Sequence, residues 1–87
     1  MRRSIDDHPF DPLLDPVVAD DPDLTPVCWA VAISDDYEDA EPRVVLTVDE
    51  IGKPGEGLVA HLLPVELRRL RVALRDALKE VGEDPGA

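Results

Sequence analysis

Cys28 is the only cysteine in the chain, so no internal disulfide can form and a reducing compartment is the expected setting. No apolar run approaches the roughly 18 residues that a membrane-spanning helix needs. Met1-Arg2-Arg3 is followed by Asp6 and Asp7 rather than by an apolar segment, which is not the pattern of a secretory signal. A cytoplasmic protein is expected. Basic residues are also scarce: nine stand against 20 acidic ones, for a net charge of −11. A free protein of that charge is repelled by DNA, RNA and anionic membranes. Its expected partners are proteins with basic or apolar surfaces.

What is present is unevenly spread. Residues 1–61 hold 15 acids and 4 bases. Residues 62–82 hold Arg68, Arg69, Arg71, Arg75 and Lys79 against Glu66, Asp76 and Glu80, a balance of +2. The chain is an acidic body with a mildly basic C-terminal segment. Its 87 residues make one domain. A unit this small is marginally stable alone, so a homodimer is expected.

Residues 1–26 carry prolines at 9, 12, 16, 22 and 26 and seven aspartates. Proline removes a backbone donor and biases the preceding residue to extended or turn geometry. An extended acidic arm is expected, not a regular element. It carries more apolar residues than a solvated tail needs: Phe10, Leu13, Leu14, Val17 and Val18. These are candidate partner-binding residues.

Residues 27–34 (VCWAVAIS) alternate large and small apolar residues, the pattern of a strand covered on both sides. Residues 43–49 and 58–63 read as two further strands, the latter after a glycine-rich turn, GKPGEG at 52–57. Pro64 to Gly82 forms a helix. Leu67, Leu70, Leu74, Ala77 and Val81 recur at steps of three and four, widened by Leu78. Pro64 suits the first helical position, Glu66 and Lys79 suit the dipole, and Gly82 suits the residue past the end. The expected fold is α+β: a three-stranded antiparallel sheet followed by one C-terminal helix (βββα), with the arm at 1–26, the domain at 27–82 and a tail at 83–87. The helix is expected to cover Val27, Trp29, Val31, Ile33, Val44, Leu46 and Val48. The opposite face then needs a lid, supplied by the arm or by a second subunit.

Few residues suggest catalytic chemistry. His8 lies among Asp6, Asp7 and Asp11 without metal-ligand spacing, and His61 sits alone in a strand. Cys28 would act as a nucleophile only with His61 beside it. GKPGEG joins two strands and lacks the Gly-Lys-Ser/Thr ending of a phosphate loop. No cofactor or metal is expected, and no catalytic residue is assigned. Arg68, Arg71 and Arg75 align on one helix face and are the remaining candidate partner-binding residues.

HLLPVELRRLRVALRDAL, preceded by VVLTVDE and a glycine turn, resembles a pattern in small uncharacterised actinobacterial proteins. There a hairpin leads into Leu-Thr-Pro and an Ala/Arg/Leu-rich helix; here Leu63 stands where the threonine would be. The resemblance spans about 40 residues and implies a βββα or ββα fold with no known activity. The β-β-β-α order is also similar to sheet-reading DNA-binding domains of integrases and plant transcription factors. Those use basic strands, and Arg43 is the only base in the three strands here. The leading expectation is a non-enzymatic interaction protein: a regulator, inhibitor or antitoxin-like module. The alternatives are a nucleic-acid-associated regulator using the basic helix, and an enzyme or metal-binding protein using His8 or His61.

Overall fold

The alternation in residues 27–34 and 43–50 has the consequence it should: two central strands paired along their full length. The computed structural model describes residues 1–53 and 55–86. The elements are β1 (Arg2–His8), α1 (Pro16–Asp20), β2 (Val27–Ser34), β3 (Arg43–Glu50), β4 (Leu58–Leu62) and α2 (Pro64–Glu80). The strands form one antiparallel sheet in the order β1-β2-β3-β4. The β2–β3 register runs unbroken from Val27 opposite Glu50 to Ser34 opposite Arg43. On β4, Leu58 lies opposite Val48 and Leu62 opposite Val44. Opposed residues share a face. Val31, Leu46 and Ala60 therefore line one side, and Ala32, Val45 and His61 the other.

The expectation of three strands is corrected to four. The missing strand is β1, inside the segment read as an arm, and it pairs with β2 from Arg2 opposite Ser34 to His8 opposite Trp29. The prolines that argued against structure begin only at Pro9. Residues 2–8 do not alternate apolar and polar residues because β1 is an edge strand, and charged side chains on an edge discourage pairing with other chains. The register shifts between Ser4 and Asp6, a bulge that also masks the period. Residues 16–20 correct the second half of the arm reading. Pro16 is at the first helical turn, where proline is favoured, and Asp15 Oδ1 accepts from the Val18 N–H at 3.2 Å.

The C-terminal helix forms where the leucine period places it. Pro64 opens it, and Glu66 Oε1 accepts from the Leu63 N–H at 2.9 Å. Leucine has no oxygen to complete a reciprocal capping box, so only half of that motif is present. Gly82 takes φ +80°, and the Glu83 and Gly82 N–H groups donate to the Leu78 and Lys79 carbonyls at 2.9 and 3.0 Å. That pair of bonds is a Schellman ending, which uses a left-handed residue that glycine adopts without strain.

The helix does not cover the sheet. It approaches β3 and β4 but not β2, so Val27, Trp29, Val31 and Ile33 do not lie beneath it. Leu67 and Leu70 are half-buried, and from there the helix leaves the sheet exposed along its length. Among the described residues Val45, at 1 % exposure, is the one fully buried hydrophobic side chain. The accessible surface is 6921 Å², against about 5,100 Å² for a compact 87-residue monomer. The radius of gyration is 15.1 Å, against about 12 Å for a compact chain.

Two glycines of the β3–β4 connection, Gly52 and Gly55, take φ +86° and +81°. The proline between them, Pro54, lies outside the described residues, as does Ala87 at the end of the tail. Gly57 is constrained differently. A Cβ built on it would overlap the Val48 carbonyl oxygen and the Asp49 backbone, so the connection closes onto β3 only if no side chain is there. Gly57→Ala is expected to lower stability by about 1–3 kcal/mol, the range of overpacked sites. The check is a urea unfolding curve with a lower midpoint and an unchanged slope.

Candidate docking surfaces and the clamp over Val45

Three features could serve function: the leucine face of α2, the excursion between β1 and β2, and a polar cluster over β3. The leucine face is built by the helix ending described above. The Schellman turn folds the chain back so that Pro85 closes one end of a groove floored by Leu67, Leu70, Leu74 and Leu78 and flanked by Arg71 and Arg75. The groove holds about 340 Å³. Leu74 is 59 % exposed at its centre. An amphipathic helix normally turns such a stripe inward. Here its outer half faces open space.

The excursion is ordered by its own aspartates. Asp-Pro occurs at 11–12, 15–16 and 21–22, and each aspartate makes a local turn. Asp11 Oδ1 accepts from Leu13 N–H at 2.9 Å, Asp15 Oδ1 from Val18 N–H at 3.2 Å and Asp21 Oδ1 from Asp23 N–H at 2.9 Å. Such bonds satisfy donors that would otherwise need a ladder or a full helix. Its first anchor is aromatic. The His8 ring stacks on Trp29 with centroids 4.2 Å apart. Phe10, half-buried, lines a hollow with Cys28, Trp29 and Ile51. Beyond that anchor, among the described residues, α1 approaches no other element. Leu13 is 89 % and Leu14 76 % exposed, and Val17 is exposed too, among Asp11, Asp15, Asp20, Asp21 and Asp23.

The third feature was not legible as a site. Tyr37, the sole tyrosine, sits in the acidic loop between β2 and β3. Its hydroxyl shares a hydrogen bond of 2.8 Å with His61 Nδ1, and the Arg43 guanidinium lies 4.5 Å from its ring centroid. Arg43 in turn donates to both oxygens of Asp39, at 2.9 and 2.8 Å. His61 is opposite Val45, and Arg43 is two residues before it on the same face. The ring held between them therefore lies on the face that carries Val45. A loop side chain is thus placed on the small-residue face beside Val45. The Arg43 hydrogen bonds, helped by the Glu41 backbone N–H, bring the Asp39 carboxyl down to about 2 from its ordinary 3.8. The same contact raises Arg43.

The candidate residues read from sequence are thus dispersed. Phe10 anchors the excursion, whereas Leu13, Leu14 and Val17 project from it and Val18 is half-buried. Arg71 and Arg75 flank the helix groove, and Arg68 is exposed outside its lining. Arg75 also makes a loose pair with Asp76 at 3.4 Å. Cys28 and His61 are not brought together. They lie opposite Asp49 and Val45, about 13 Å apart along β3. Cys28 Sγ instead points to the Asp49 carbonyl at 3.7 Å. Among the described residues no group of three or more His, Cys, Asp or Glu is placed to hold a metal ion, and no helix is long and apolar enough to cross a membrane. No family model, curated protein or solved structure matches the chain.

The clamp has a pH signature. A carboxyl depressed in the folded state stabilises it above the unfolded value, and that contribution disappears as pH falls through the folded value. For Asp39 the loss falls between about pH 4 and pH 2. NMR titration is expected to give an Asp39 midpoint near 2, and Arg43→Gln is expected to return it toward the ordinary carboxylate range.

Proposed function

We propose that this protein is a small, acidic, non-enzymatic protein–protein interaction module of the regulator, inhibitor or antitoxin-like kind. It works as a homodimer in the reducing cytoplasmic setting that a lone cysteine suits. Its docking element is the excursion from Phe10 to Asp23. The observation that carries the reading is the exposure of Leu13 and Leu14 on a locally ordered segment with five aspartates and no base. Order limits the entropy lost on binding. Exposed apolar side chains supply contact area, and the aspartates select the partner by charge. The matching surface is an apolar groove rimmed by lysine or arginine.

The test is capture from a lysate of the native host, comparing the intact chain with Leu13→Ser/Leu14→Ser. Deleting residues 1–26 would remove β1 and unpair β2, so substitutions are the cleaner probe. The variant is expected to keep its circular dichroism and to lose the captured protein by tenfold or more. Equal capture by both chains would remove the excursion from the reading.

A further inference from the structure

Two exposed apolar features of this chain are complementary in chemistry. The excursion offers Leu13, Leu14 and Val17 beside Asp11 and Asp15; the α2 groove offers Leu70, Leu74 and Leu78 beside Arg71 and Arg75. We propose that the groove is the receptor for the excursion of a second copy, so that two chains exchange these segments reciprocally. The proposal deepens the docking role given to the excursion and rests on it.

Three observations point to a second copy. First, the two features stand apart in one chain: the excursion leaves β1 at one edge of the sheet, α2 follows β4 at the other, and α1 approaches no other element. Second, charge disfavours two of the simpler pairings. Two excursions facing each other set aspartates against aspartates. A parallel pair of α2 helices sets Arg71 and Arg75 level with their own copies. Excursion against groove opposes acids to arginines, and a two-fold axis satisfies both copies at once. Third, the surface in excess of a compact monomer is about 1,800 Å². A stable interface removes about 800 Å² from each partner. The exposed area is therefore ample for two such contacts.

Cysteine pairing across the contact tests this in the full chain with Cys28→Ser. Leu14→Cys and Leu74→Cys are made separately, at exposed positions that tolerate the smaller side chain. Each alone is expected to stay unlinked under mild oxidation, and their mixture is expected to give a disulfide-linked dimer. Light scattering of the parent chain is expected to give twice the chain mass at micromolar concentration. A monomer overturns the proposal. So does self-linking of Leu74→Cys, which would show helix against helix, and so does a dimer whose mixed variants stay unlinked. A monomeric chain whose Leu13→Ser/Leu14→Ser form still loses a captured protein would leave the docking role standing and remove only the exchange.

Discussion

The β2–β3 ladder holds this protein together. Eight consecutive residue pairs, Val27–Glu50 to Ser34–Arg43, run without a bulge, and both edge strands depend on them. Among the described residues β1 pairs only with β2, and β4 only with β3. In most domains of this length a ladder is secondary to a packed core. Here one hydrophobic side chain, Val45, is fully buried among the described residues. Backbone hydrogen bonding contributes modestly per bond, because the unfolded chain bonds to water instead. A sheet held chiefly by its ladder is therefore a fold that gains from any surface laid against it.

The clamp over Val45 shows how the chain manages with so little core. Tyr37 comes from a loop whose other side chains are mostly acidic, and an acidic loop reads as solvated surface. What fixes the tyrosine is long-range: Arg43 and His61 reach the same face only because β2, β3 and β4 pair in this register. Ser34, half of the last β2–β3 pair, is buried beside it, and its hydroxyl accepts from the Asp36 N–H at 3.2 Å. The loop is thus tied at its start by Ser34 and at its end by Arg43.

Elements whose signal is local were legible in the sequence. The bounds of β2, those of β3 to within one residue, the start of α2 at Pro64 and its ending at Gly82 each follow from side chains within a few residues. The edge strand β1 was not legible, because its partner and not its own pattern makes it extended. Nor were the Asp-Pro turns. The same dipeptide that bars a long helix starts a short one at Asp15-Pro16, and only the following residues decide between turn and helix. The largest error concerns packing. The leucine period shows that α2 has a face to bury, but periodicity carries no information about what meets it. Leu13 and Leu14 were identifiable as excess apolar residues in an acidic segment. The groove flanked by Arg71 and Arg75 was not, since it needs Pro85 folded back by the helix ending.

In the proposed exchange, charge segregation supplies the selectivity. A chain with a net charge of −11 repels its own copies as a whole, which protects an exposed apolar surface from indiscriminate association. The repulsion is not uniform. The segment with no base at all carries Leu13 and Leu14, and the segment with a positive balance carries the leucine groove. Apolar contact supplies the attraction in either place and is blind to orientation. Opposite charge beside each apolar feature then decides which surfaces meet. In that exchange like features repel and unlike ones attract. A uniformly acidic surface would forbid every contact, and a mixed one would permit too many. In the proposed exchange the arginines of α2 meet the aspartates of the excursion, and pairings of like charge are disfavoured.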